Sequence, residues 1–338
     1  MKLVLRIRAV IALFLAAAST LLAPLSCSAT EPPYRVALCA FADEEAGYGR
    51  NDLLAYACDK VEAELGAETE LCDPGEGLPG GETEEGENAD RLVISMGRIA
   101  TEGVLASRRG ACDVPLVALG LPPDAGVSGG EGVTAVRYRV EEGAYLCGYL
   151  AGRLTEGKDH PLTNALPVVA FLGAKSDAMT EWYRAGFASG VKAALPAGSV
   201  LVYTLEDAAA AAKARPLAEE AAKKGADIIF CAPGEFVNEV IGVAEEKGIL
   251  VIPAGGDLSE TSPEHVLTSL VLRDDNAVFK AVQMAMDGEL VPGRFAWGIR
   301  EGTWCLAPFR GHDLHIRREL KEALLREEER VAGMEFSP

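Results

Sequence analysis

Short apolar runs recur along the chain, and the segments between them carry apolar positions every three to four residues, the alternation of buried strands with amphipathic helices. Residues 168–172, VVAFL, show the unit most clearly: Gly173 ends the run, and 180–196 continue with helical spacing. Gly186 and Gly190 lie four apart, hence on one face of that helix, where glycine is worth its helix-breaking tendency only if another backbone comes close. The helix is therefore predicted to pack tightly on its sheet.

The same reading gives strands over 35–41, 68–72, 91–96, 115–119, 134–140, 200–205, 227–231, 250–254 and 266–272. Helices are predicted over 52–65, 99–109, 141–154, 207–224 and 276–286, the alanine-rich 207–224 being the strongest helix former by composition. Residues 295–307 read as one last extended piece, and 317–330 as a charged helix with Leu320, Leu324 and Leu325 along its apolar stripe. Strand and helix alternation of this kind predicts an α/β fold with parallel sheets, whose ligands lie in the loops at the strand carboxyl ends. The polar stretch after the first strand, with Asp43 and Asn51, is one such loop.

Length and charge narrow the partners. A chain of 338 residues holds two domains, and a net charge of -19 argues against nucleic acid or an anionic membrane as a partner, since phosphate contacts need clustered Lys and Arg. Small solutes fit such a surface better. Near the start, Lys2, Arg6 and Arg8 precede an apolar run over 9–25, a targeting signal expected to be absent from the folded domain, with a membrane anchor as the competing reading. Cys27 follows Ser26 as in a lipoprotein box, and an ordinary small-residue cleavage site is the alternative.

Candidate chemistry is sparse. The phosphate-cradling glycine motifs and the serine-hydrolase elbow are missing from the sequence, and no nucleophile, base and orienter pattern emerges. The seven cysteines after Cys27 contain no CxxC pair, so no zinc or thioredoxin-type site is indicated. His312 and His315 flank Asp313 without an evident third metal ligand, and the acidic loop 73–90 lacks the calcium-binding EF-hand spacing. At strand ends, Trp182 and Tyr183 offer aromatic faces for a planar ligand or for core packing. Gly234 and Phe236 open a helix after 227–231, where Phe236 suits a site or plain packing, and Asp257 in PAGGDLSE offers a carboxylate for ligand hydroxyls.

The strand, loop, aromatic and AGFASG pattern of 168–190, together with YLAG in the preceding helix, resembles the basic membrane protein family of substrate-binding lipoproteins, whose best-known members bind purine nucleosides for ABC transporters. The resemblance covers 34–306. It implies a type I periplasmic-binding-protein fold, two Rossmann-like lobes with parallel sheets around a ligand cleft, between which the chain crosses three times. The expected division is a signal peptide over 1–27, lobe one over 34–137 plus 270–290, and lobe two over 138–269 plus 291–338, with the charged last helix capping lobe two.

The resemblance further implies an extracytoplasmic protein, lipid-anchored through Cys27 and monomeric, that binds a nucleoside or related solute for an ABC permease, with no cofactor and no chemical step. A ligand sensor of the same fold, and less so an enzyme on this scaffold, are the alternatives. Tyr183 takes the place of the family aromatic that lies against the nucleobase. Gly234 matches a family glycine, and Asp257 aligns with the second Asp of the family's GVDSDQ-like loop, Gly255 standing at the first. Phe41 stands where members carry Asp, and Asn51 in YGRND is the nearest match to their SFNQ. Leu272 replaces a family Lys, with Arg273 beside it. These departures imply altered ligand contacts.

Overall fold

The computed structural model describes residues 33–40, 50–73, 91–107, 114–122, 125–127, 132–157, 160–164 and 166–336. Tyr34–Pro338 forms one compact unit. Cys27, Phe41, Asp43 and the acidic 74–90 lie outside the described residues, and no described helix is long and apolar enough to cross a membrane.

In chain order the first half comprises β1 (Arg35–Cys39), α1 (Arg50–Leu65), β2 (Glu68–Cys72), β3 (Arg91–Met96), α2 (Gly97–Ser107), β4 (Leu116–Leu119), β5 (Val133–Tyr138) and α3 (Val140–Gly157). Then come β6 (Val168–Ala174), α4 (Thr180–Ala194), β7 (Ser199–Leu205), α5 (Ala214–Lys223), β8 (Ile228–Cys231), α6 (Val237–Lys247), β9 (Leu250–Gly255) and β10 (Leu270–Leu272). The last part holds α7 (Asp274–Met286), β11 (Gly293–Trp297), β12 (Trp304–Leu306) and α8 (Arg318–Val331).

Two six-stranded sheets result, ordered β11-β5-β4-β3-β1-β2 and β12-β10-β9-β8-β6-β7. Set aside the outermost strand at one edge of each and the two orders are the same, the doubly wound pattern in which the first strand lies between the second and third. Central strands such as LVAL of β4 and IIFC of β8 are buried throughout, as parallel strands covered on both faces must be. Edge strands β2 and β7 carry the polar and exposed positions.

The late strands exchange sheets. β10 pairs parallel with β9 in the second sheet, β11 pairs parallel with β5 in the first, and β12 returns to pair antiparallel with β10. The expected extended piece over 295–307 is therefore two strands in different sheets, broken by a 3-10 turn at Ile299–Glu301. Strand pairing likewise divides both late segments of the expected partition, placing 270–272 in the second sheet and 293–297 in the first. The chain passes from one sheet to the other near 139, 273 and 298–303.

Two elements are shorter than their patterns suggest. Helix α5 begins at Ala214, because Pro216 has no N-H to donate and fits only a first turn, so alanine propensity upstream is overridden. Val266 makes an isolated bridge to Val251 rather than extending β10.

Gly186 and Gly190 do mark a close approach, and its partner is helix α3 rather than the sheet. A Cβ at Gly190 would overlap the Tyr145 carbonyl oxygen and come within 2.7 Å of the Tyr149 nitrogen, and one at Gly186 would overlap the backbone of Glu141. Gly148 faces the Phe187 carbonyl in the same way from the α3 side. Both helices thus contribute bare backbone, which lets the two axes approach more closely than side chains would allow. Gly190→Ala is expected to lower folding stability by about 1–3 kcal/mol through overpacking, despite alanine's better helix propensity. Gly242→Ala in α6, where the nearest group to a Cβ is the Arg215 side chain at 3.8 Å, should instead be neutral or stabilising by up to about 1 kcal/mol. Denaturant unfolding of the two variants measures the contrast, and equal stabilities would refute the close-contact account.

Candidate functional site

In a doubly wound sheet the loops diverge where strand order reverses, and a crevice forms at the strand carboxyl ends there. The reversal lies between β1 and β3 in the first sheet and between β6 and β8 in the second. The second sheet therefore contributes the loops after β6 (175–179) and after β8 (232–236). The first contributes the loop after β1, of which 41–49, with Asp43, lie outside the described residues. Asn51 falls in the first turn of α1, at the end of that loop.

In the loop after β6, the Asp177 carboxylate accepts the Met179 N-H at 2.8 Å, an Asx turn that delivers the chain into α4. Burial pushes the Asp177 carboxyl above its usual range, with the Met179 N-H pulling the other way. Thr180, 2% exposed, has a buried hydroxyl without a hydrogen-bond partner among the described residues. The next two positions part company. Tyr183 is buried in the core, its ring 6.1 Å from that of Phe230, so the side chain expected against a ligand packs beneath the sheet. Trp182 is half-buried, and one face of its ring carries the Arg137 guanidinium 4.3 Å from the centroid.

Arg137 comes from β5 of the first sheet and Trp182 from α4 beside the second, so this cation-π contact spans the two sheets' layers. Arg137 is also held by two bonds of 2.9 Å to Glu141, a carboxylate that is 1% exposed. A cavity of about 280 Å3 opens beside Arg137, walled by Leu121, Val127, Ala135 and residues 294–296 of the first sheet.

The other expected residues divide between packing and polar roles. Phe236 is fully buried in the second sheet's core, and Gly234 is small because a Cβ there would strike the Phe236 ring. Asp257 sits beyond β9, where its Oδ1 accepts the Ser259 N-H and hydroxyl and its Oδ2 accepts Arg310 at 3.1 Å. Partial burial alone would raise the Asp257 carboxyl, and these three donors outweigh it and hold it below its usual range. Arg273, beyond β10, forks onto Asp275 with bonds of 2.8 and 2.7 Å. Leu272, at the last position of β10, is half-buried.

The three crossings bond to one another. Arg139 N-H donates to Trp297 O at 2.7 Å, Ile299 N-H to Glu142 Oε2 at 2.8 Å, and Arg273 N-H to Thr303 O at 2.9 Å. Tyr138 donates to Asp274 at 2.8 Å, and Asn276 donates to Gly302 O at 3.1 Å. Glu142 is 1% exposed and paired with Arg139 at 2.7 Å. Burial raises its carboxyl above the usual range, against the pull of Ile299 and Arg139. Gly298 is required beside it, because any Cβ there would overlap the Glu142 carboxylate.

Arg137, Glu141 and Glu142 were not singled out from the sequence. The signal available was four charges within RYRVEE, at a junction of two otherwise apolar elements, where charges are tolerated only when paired. Among the described residues, no group of three His, Cys, Asp or Glu could hold a metal ion. Cys147 and Cys231 are buried, and burial holds both thiols far above their usual range.

Comparison with known proteins bears on the fold and the family. A TM-score of 0.65 relates the fold to a transcriptional activator of the comK gene from Bacillus halodurans, at 18% identity over 90% of this chain and 99% of that one. An ABC transporter solute-binding protein from Aeropyrum pernix K1 superposes with a TM-score of 0.63, at 13% identity over 89% and 92%. Both show the type I periplasmic-binding-protein fold. In sequence, the chain is 27% identical over 184 residues to Basic membrane protein B of Borreliella burgdorferi, covering 51% of this chain and 50% of that protein. It is 31% identical over 115 residues to a CD4+ T-cell-stimulating antigen of Listeria innocua, covering 34% and 30%. The chain thus spans about half the length, or less, of the curated relatives it matches. A family profile described as "ABC transporter substrate-binding protein PnrA-like" (Bmp) matches residues 123–309, more than half of the chain, and the chain belongs to that family.

Proposed function

We propose that this protein is the extracytoplasmic receptor of an ABC importer, binding a small polar solute, a nucleoside or a related compound, between its lobes and presenting it to a permease. The observation that carries the reading is the family match over 123–309 coinciding with two doubly wound sheets joined by a three-strand hinge. No chemical step enters it. Binding shifts the lobes toward a closed form only by the solute's differential affinity for that form. We further propose that the lobes follow the sheets, that Cys27 carries lipid, and that the protein works as a monomer.

The site favours a solute other than a purine nucleoside bound as in the resembled family. Tyr183 is in the core, one Trp182 face is covered by Arg137, and Asp257 is already bonded to Ser259 and Arg310. Leu272 offers no polar group where members carry Lys. Each hydrogen bond missing to a nucleoside costs roughly 0.5–3 kcal/mol. Ligands of the lobes are therefore expected to include polar solutes outside the purine nucleosides, to use the remaining face of Trp182, and to reach Asp257 by displacing Ser259 or Arg310 from it.

A thermal-shift panel of nucleosides, bases and sugars, followed by calorimetry on any hit, tests this, because a ligand of the folded state raises its apparent stability. Trp182→Ala and Asp257→Ala should each weaken the hit by about 1–2 kcal/mol, roughly tenfold. Tight inosine or guanosine binding that both variants leave unchanged would refute the site and the altered specificity together. Membrane attachment has its own test: Cys27→Ala should move the protein from the membrane fraction to the soluble fraction, and an intact mass showing an unlipidated terminus at Thr30 would remove the idea.

A further inference from the structure

All four histidines of the chain lie in the second lobe's neighbourhood, and two of them form a buried bonded pair outside the candidate site. His160, in the loop after α3, and His312, in the 3-10 turn Arg310–His315, are 3% and 4% exposed, with His160 Nε2 and His312 Nδ1 2.8 Å apart. The backbone fixes which nitrogen holds each proton. Leu162 N-H donates to His160 Nδ1 at 3.2 Å, so His160 carries its proton on Nε2 and donates it to His312 Nδ1. His312 then carries its own proton on Nε2, which is buried without a hydrogen-bond partner among the described residues.

As neutral imidazoles the two rings satisfy both His160 nitrogens and His312 Nδ1. A second proton must enter at Nδ1 in either ring. On His160 it would face the Leu162 N-H, and on His312 it would face the His160 Nε2-H, so charging either ring sets two donors against each other. The groups that act on His160 are the imidazoles of His312 and His315, the latter with its ring centroid 4.9 Å away. His312 is faced by His315, by His265, and by the backbone of Pro263 and Val266. The charges on the same turn are engaged elsewhere, Asp313 with Lys321 at 2.6 Å and Arg310 with Asp257 and Glu260. Burial, followed by the neighbouring rings, pulls His160 down to about 4 from 6.5; burial and then His315 lower His312, against the opposite pull of the Val266 and Pro263 backbone.

The pair ties a long segment down. From His312 the chain continues into α8, which lies along α3: Tyr145 donates to Glu327 at 2.8 Å, the Phe336 ring sits 6.0 Å from that of Tyr145, and Met334 O accepts Arg139 at the first crossing. We propose that His160 and His312 form an acid-sensitive clasp that holds the C-terminal segment 310–336 on the second lobe and against the hinge. Acid charges the rings, the clasp opens, and Arg139 loses its contact with the tail.

The sign follows from proton binding. The released rings bind more protons than the clasped ones between pH 4 and 6.5, so the clasp is fully present above about pH 6.5 and weakens as pH falls. With the ring at about 4 clasped and 6.5 free, opening becomes roughly 30-fold more favourable between pH 7.5 and pH 5. Asp227, which accepts Asn164 N-H beneath the same loop, is raised by burial to about 6 and has the opposite sign, its protonation favouring the folded state.

Hydrogen exchange of the full-length protein at pH 7.5 and 5.0, corrected for intrinsic rates, tests the clasp peptide by peptide. Residues 310–336 should lose protection by roughly 30-fold at pH 5 while β3 and β4 keep theirs. The double variant His160→Gln/His312→Asn, whose amides keep the Nε2-H to acceptor bond but cannot titrate, should retain protection of 310–336 at pH 5. Equal wild-type protection at both pH values, or the same acid loss in the double variant, overturns the proposal. Should the double variant not fold, imidazole nitrogen NMR of the wild type decides: two neutral rings with protons on Nε2 at pH 6 support the clasp, and a ring charged at pH 6 overturns it.

Discussion

The backbone contact between α3 and α4 is the constraint from which the rest follows. Gly148 on one helix and Gly186 and Gly190 on the other let main-chain carbonyls meet the opposite helix directly, where any side chain would collide. That contact fixes where α3 begins relative to α4. Because α3 opens with Glu141 and Glu142, and α4 opens with Thr180 and Trp182, a packing decision in the helix interiors becomes a placement decision at the cleft. Arg137 meets Trp182 because Glu141 holds the guanidinium and Gly186 lets the Glu141 backbone come that close.

Buried charge is the second theme. Glu141, Glu142 and Asp275 are each almost wholly removed from water, which is tolerable only when donors surround them. Each has its donors from a crossing segment: Arg137 and Arg139 from the first, Arg273 from the second, Ile299 from the third. Burial raises the Glu142 carboxyl, and at Asp275 the Arg273 fork outweighs burial and holds the carboxyl below its usual range. Ion pairs of this kind are directional. The donors come from all three crossing segments, so the buried carboxylates tie those segments to one another.

The strand and helix alternation was legible because it rests on local periodicity: a run such as IIFC is apolar on both faces whatever it pairs with; the late start of helix 207–224 at Ala214, set by Pro216, was also written in the chain but was missed under the alanine propensity. Periodicity carried only the α/β class; the family, and the type I periplasmic-binding-protein fold it implies, were legible through the resemblance of AGFASG and YLAG. The glycines also announced a close backbone, since their spacing on one helical face is a property of the chain alone.

Which backbone they met was decided by tertiary structure, as were the sheet exchanges of β10, β11 and β12, because strand partners far apart in sequence leave no periodic trace. The same limit governs the site. A residue type at a strand end says that an aromatic or a carboxylate is near the cleft, and only packing decides whether Tyr183 turns into the core while Trp182 takes Arg137, or whether Asp257 is spent on Arg310. Asp257 and Arg310 stand 53 residues apart, as His160 and His312 stand 152 apart. Charge and hydrogen-bond pairing act over a few ångströms of space, whereas sequence orders residues only along the chain; the elements were therefore written locally, and the partners were chosen by the fold.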